Sequence, residues 1–195
     1  LQACQTVNPH WPFTISRMVF YPDFSNRTNK AENYARSATG IQVSREVKLL
    51  PVFLKYLKLA IEEMEKGLEF YREAASKSNE QKHKSAVREV IVAEQMQRMM
   101  QSDYAILEFE DLRLQLAREK NAGKFDQILD RMEKILREEI DRTELSWLAA
   151  SRDSRLGFQH EQDYVYTPFS LEEKLRLMRE TLEKHIPQAR SSKSI

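Results

Sequence analysis

His160, Glu161 and Asp163 crowd into one short stretch, and side chains of these types converging on a point can hold a metal ion. Their spacing in a loop can bring two of them to one cation. The plainer reading is that they are solvated or bond the local backbone. His83 and His185 read as exposed helical residues, and His10 beside Trp11 as part of an aromatic packing segment. A carboxylate-bridged di-iron bundle needs Glu-x-x-His on two facing helices. Glu80–His83 has that spacing but stands by itself at a helix start. Hydrolysis of sugars needs a carboxylate pair across a cleft. Glu108, Glu110 and Asp111, around Phe109, have the least ordinary setting, and an exposed acidic patch explains them as well. Ser151 and Ser154 lack a Gly-x-Ser-x-Gly context, Cys4 has only His10 as a nearby base, and there is no glycine-rich phosphate loop. The sequence therefore assigns no catalytic residue, no metal ligand and no cofactor.

The segment 151–169 is the least ordinary part of the chain. Asp153, Arg155, Phe158, His160, Tyr164 and Tyr166 are its candidate interface or ligand residues. Aromatic anchors beside arginine forks suit a protein contact. The same aromatic faces can stack on sugar rings. A structural role is equally open, with Asp153 and Arg155 closing helix ends and the aromatics covering the base of the fold.

These residues must be positioned by helices. The chain has 195 residues, 4 glycines, 6 prolines and 31% charged residues, a composition of long helices with few breakers. A chain of this length can bury a full core without disulfides or metal. Lys and Arg total 31 against 30 Asp and Glu, a net charge of +1. That balance gives no electrostatic reason to expect nucleic acid. One cysteine excludes an internal disulfide, and no run approaches the roughly 20 apolar residues of a membrane span. The start at Leu1 reads as mid-protein, so an excised domain or processed product is expected.

Residues 1–43 hold Pro9, Pro12 and Pro22 with Trp11, Phe13, Phe20, Tyr21 and Phe24. They predict an irregular N-terminal arm, packed on the helices or on a missing neighbour. Residues 44–186 predict a helical domain. The first long helix starts near Pro51, or earlier at Ser44, with Phe53, Leu57, Ile61, Met64, Leu68 and Tyr71 on one stripe. The second, about 80–120, takes Asn79 as N-cap and stops at Asn121-Ala122-Gly123. Its methionines, with Met132, read as core filler, a calmodulin-like groove being the sharper alternative. The third runs from Phe125 through Leu145 and Leu148. Ser170-Leu-Glu-Glu173 reads as a capping box for a short last helix ended by Pro187. Residues 187–195 predict a disordered tail. The fold class is all-α: an up-down bundle of three long antiparallel helices plus a short C-terminal helix.

The run Asp153-Ser-Arg-Leu-Gly-Phe158, then Asp163-Tyr-Val-Tyr166, then a short leucine-rich helix, resembles the C-terminal helical region of certain bacterial glycoside hydrolases. That group is similar to α-glucuronidases and β-hexosaminidases. The match is strongest over residues 146–182, and Gln159–Gln162 departs from any firm pattern. The resemblance implies a non-catalytic C-terminal module that supports or oligomerises a catalytic (β/α)₈ barrel absent from this chain. It also implies a periplasmic or extracellular location and a carbohydrate contact. The partner is then the rest of a larger parent polypeptide or a second subunit. The other expectation is a self-standing helical bundle for protein–protein interaction. An enzyme in its own right would instead need a deep pocket with convergent polar groups.

Overall fold

The computed structural model describes Phe24, residues 49–159, 163–164 and 167–192. Within these residues the chain is helical apart from one tiny β ladder. Helix α1 spans Leu49–Ser76, α2 Glu80–Leu116 and α3 Ala122–Arg152. A 3₁₀ turn at Ser154–Gly157 leads to β1 (Phe158–Gln159) and β2 (Asp163–Tyr164), which pair antiparallel. Helix α4 (Pro168–Glu180) continues through a π turn at Thr181–His185 into α5, Ile186–Ser192. No helix among the described residues is long and apolar enough to cross a membrane. Of the N-terminal arm only Phe24 is described. The rest of that expected arm lies outside the described residues, as do residues 193–195 of the tail.

Caps set the boundaries. Asn79 lies in the extended region and its side chain accepts the Lys82 amide at 3.0 Å, as expected. Asn121 is no stop signal but the N-cap of α3, accepting the Lys124 amide at 3.0 Å. Helix α2 ends sooner, at Leu116. Glu119 accepts the Asn121 and Lys120 amides, which holds its carboxyl below the usual range and closes the link. Replacing Asn121 with Ala should cost about 1 kcal/mol, read as a shift in the urea midpoint at unchanged slope.

The cap of α4 also differs from the expectation at Ser170. Thr167 is the N-cap, and the box closes between Thr167 and Ser170. Ser170 donates its amide to Thr167 Oγ1 at 3.2 Å, and Ser170 Oγ accepts the Thr167 amide at 3.0 Å. The reason is Pro168. It pushes Thr167 into the extended region, and its fixed φ and missing N–H suit the first helical position. Glu173 instead pairs with Arg176 at 2.7 Å. Pro187 does not stop the helix. Its ring would collide with a carbonyl one turn back in a regular α-helix; here the wide π turn precedes it and the helix runs on to Ser192. Arg190 ties this last turn to Asp130 and Glu133 of α3.

The main core lies between α2, α3 and the C-terminal helices. It holds Ile106, Phe109, Leu116, Leu129, Met132, Ile135, Leu136, Leu175, Met178 and Ile186. Phe24 packs against it, 6.4 Å from Phe109 between ring centroids. Met99 joins Ala150 and Leu171 in a second cluster. Met99 and Met132 are core residues as expected, but Met96 is exposed. Helix α1 packs through Leu54 and Leu57 on Leu107 of α2.

Helix α2 is the central element. Gln95, Met99, Ser102, Ile106, Phe109, Arg113 and Leu116 recur at steps of four and three, and all are buried. Three of those side chains are polar, so the stripe is not visible as a run of apolar letters. Glu110 is not part of an exposed acidic patch. It is buried and pairs with Arg113, whose guanidinium donates to it at 2.7 and 2.8 Å. Glu108 pairs across to Arg131 of α3.

Candidate functional site

The segment singled out in the sequence joins α3 to α4. Asp153 is the C-cap of α3 and its amide donates to the Ala149 carbonyl at 3.0 Å. Its carboxylate receives the Arg155 amide at 3.1 Å and the guanidinium at 3.0 and 2.7 Å. The Arg155 hydrogen bonds, aided by Arg88 of α2 at 4.0 Å, hold the Asp153 carboxyl below its usual range. Arg155 in turn reaches toward Glu89 of α2 at 4.0 Å. Leu156 is buried directly after this clamp. Asp153 and Arg155 are thus brought together, each satisfying the other.

The ladder follows, with Phe158 opposite Tyr164 and Gln159 opposite Asp163. The backbones of Phe158 and Tyr164 are therefore paired across the segment. Their side chains, and all of His160, Glu161 and Tyr166, lie outside the described residues. So does any metal set built from His160, Glu161 and Asp163. At the far end the segment is closed by the Thr167–Ser170 box, and Phe169 beside it is 80% exposed.

A second constellation was not singled out in the sequence. Lys174 of α4 donates to Ser102 of α2 at 2.6 Å and also to Glu139 of α3. Ser102 donates its own proton to the same Glu139 oxygen, and Arg142 donates to the other. Asp103 lies buried beside this group, with one carboxylate oxygen that meets no partner among the described residues. The four core members, Ser102, Asp103, Glu139 and Lys174, are 8% exposed or less.

Electrostatics divides the two acids. Burial pushes the Asp103 carboxyl well above its ordinary value; Lys174 opposes this and Glu139 adds to it. Burial works on Glu139 in the same direction, but Lys174, Arg142 and the Ser102 hydroxyl outweigh it and leave that carboxyl below its ordinary value. The site thus pushes its two acids apart, Glu139 toward its charged form and Asp103 toward its protonated form.

A serine hydroxyl at 2.6 Å from a lysine amine has the spacing of a nucleophile and its base. The surroundings argue against that chemistry. The amine donates to the serine oxygen and to Glu139 rather than accepting the serine proton. The hydroxyl already donates to that carboxylate, and Ser102 is 1% exposed. The arrangement instead ties three helices at one point, and it fixes α4 where the loop returns to the bundle.

The signal for this cluster was phase rather than composition. Buried positions on α3 run Leu129, Met132, Leu136, Glu139, Thr143, Ser146 and Ala150, in steps of three and four. Reading onward through apolar letters leads to Leu145 and Leu148, which are exposed. Lys174 likewise sits three residues after buried Leu171 and four before buried Met178.

One open groove of about 310 Å³ runs between α1, α2 and α3, lined by Lys58, Glu62, Tyr104, Glu108, Arg131 and Arg142 among others. Burial raises the Tyr104 phenol, with Glu108 adding and Arg131 opposing. Glu108 and Arg131 are spent on each other. Among the described residues no three His, Cys, Asp or Glu side chains are grouped to hold a metal ion. No protein-family model, no curated protein and no solved structure matches the chain.

Proposed function

We propose that this chain is a helical module that presents the 153–167 segment to another folded unit, in the manner of the C-terminal helical region of the glycoside hydrolases it resembles. The chemistry of such a protein resides in a catalytic barrel outside this chain, and the module supports or oligomerises that barrel. The observation that carries the reading is the way the segment is held. The Asp153–Arg155 clamp and buried Leu156 fix its start. The Thr167–Ser170 box and the Lys174 contacts fix its end. Variable surface segments held on a rigid scaffold are where folds place recognition.

The scaffold in this reading is an up-down bundle with antiparallel neighbours. In support, Arg72 pairs with Glu94 and Glu65 with Gln97, so residue numbers fall on α1 as they rise on α2. The pairs Glu108–Arg131 and Ser102–Glu139 run the same way between α2 and α3. Trp147–Glu172 and Arg179–Glu144 do so between α3 and α4.

The test is the natural gene product. A (β/α)₈ domain is expected ahead of Leu1, and amide exchange at residues 154–167 should slow in the longer polypeptide relative to this chain alone. A gene product without such a domain, or equal exchange in both, overturns the reading.

A further inference from the structure

Helix α1 buries one apolar side and carries a second row, of mixed apolar and charged residues, on the opposite side. Its inner side, with Leu54, Leu57, Ile61, Met64, Leu68 and Ala75, faces α2 or is drawn inward. A second row begins at Val52 and continues through Tyr56, Leu59, Glu63, Lys66, Phe70 and Glu73. The steps alternate four and three, the spacing of a coiled-coil seam. At 100° per residue this row lies half a turn from the inner side. Its apolar members are bare: Val52 is 48% exposed, Tyr56 62%, Leu59 46% and Phe70 71%.

The order of the outer row is self-complementary. Consider a two-fold axis crossing α1 between Met64 and Glu65. It sets Glu63 against Lys66 of the partner subunit, and Lys66 against Glu63 of the partner subunit. It sets Leu59 against Phe70 of the partner subunit twice over, and Tyr56 against Glu73 of the partner subunit. From Tyr56 to Glu73 every seam position meets a seam position. Within one chain Glu63 and Lys66 already pair at 2.7 Å, with side chains 71% and 67% exposed, so both charges remain available across the seam. A parallel arrangement in register would instead oppose Glu63 to Glu63 and Lys66 to Lys66. Gly67 beside the axis has open space around it, which allows close approach. A seam over Tyr56–Glu73 is about 26 Å long.

We propose that the outer face of α1 is a self-association surface, through which two copies of this chain pair antiparallel about an axis at Met64–Glu65. The proposal does not rest on the role of the 153–167 segment. It is tested by analytical ultracentrifugation of the full chain over a concentration series. A reversible dimer is expected. The double variant Leu59→Glu/Phe70→Glu should weaken it by roughly 100-fold or more, since four apolar side chains per dimer are lost from the seam. Its far-UV circular dichroism should be unchanged, because both side chains are exposed. Cysteine pairing reads the direction: in a Cys4→Ser background, mixed Leu59→Cys and Phe70→Cys chains should form the mixed disulfide in preference to either like pair. A monomer at every concentration overturns the proposal, as when residues 1–48 cover the face. So does a dimer unaffected by the double variant, or a preference for the like pairs.

Discussion

Replacing Glu139 with Gln should destabilise the fold by about 3–5 kcal/mol, the cost of breaking a buried ion pair from one side. The carboxylate accepts from Lys174, Ser102 and Arg142 and is completely buried. Glutamine keeps the volume but leaves the Lys174 ammonium without its counter-charge in a site 8% exposed. Lys174→Met should cost less, because Glu139 retains Arg142 at the edge of the site. The double variant Glu139→Leu/Lys174→Met should recover most of the loss, since a well-packed apolar pair can replace a buried ionic one. With Glu139→Leu as the second single variant, urea unfolding of the unaltered chain, Glu139→Leu, Lys174→Met and the double variant at neutral pH completes the cycle. Additive losses would mean that the two groups do not act as a pair.

The same cluster fixes a dependence on pH whose sign differs for its two acids. Glu139 has a folded pKa below its ordinary 4.5, so its stabilisation is present above that value and lost as pH falls through the folded pKa. Asp103 has a folded pKa well above its ordinary 3.8, so folding favours its protonated form. Its contribution is greatest at low pH and declines as pH rises from the ordinary value through the folded one. The Asp103→Asn variant should therefore remove a loss of stability on the alkaline side while leaving the acid limb to Glu139. Urea midpoints across the pH range separate the two.

The sequence reveals the helices more readily than it reveals what ties them. Helices α1 and α3 announce themselves because hydrophobic letters keep helical phase over several turns. The turn before Asn79 is legible because its cap uses a preferred residue type. At Asn121 the same chemistry misleads, since Asn followed closely by Gly is also the signature of a helix end. At Ser170 the nearer proline decides the cap. The buried cluster is hidden for a different reason. Glu139 sits in the run Arg-Glu-Glu-Ile-Asp-Arg and Lys174 in Glu-Glu-Lys, which read like any solvated helix face. Only the three-four phase of their buried neighbours places them inward, and only the fold joins Ser102 to Lys174. The candidate loop was visible by its aromatic content. Its clamp was weighed in the sequence as one reading of Asp153 and Arg155, and the geometry of that pair now accounts for both charges.

Phe109→Ala should be the costliest of the apolar truncations, at about 3–5 kcal/mol, and should also free Phe24 from the core. Phe109 is 1% exposed and lies in the main core between α2, α3 and the C-terminal helices. Its ring faces Phe24 at 6.4 Å with planes tilted by 53°, a favourable aromatic geometry. Helix α2 is buried on several sides around this position, so its neighbours cannot collapse far into the space left. Phe24 is partly buried, and Phe24→Ala should cost less. The two losses should not add: with Phe109 already truncated, removing Phe24 should cost about 0.5–1.5 kcal/mol less than in the unaltered chain. Urea unfolding supplies the four energies. Amide exchange around Phe24 supplies an independent readout, because a core defect alone would not speed exchange there beyond the change in global stability. Faster local exchange in Phe109→Ala at matched stability would mean that Phe24 is held to the bundle through this ring. Additive energies with unchanged local exchange would show that Phe24 rests on the core without depending on it.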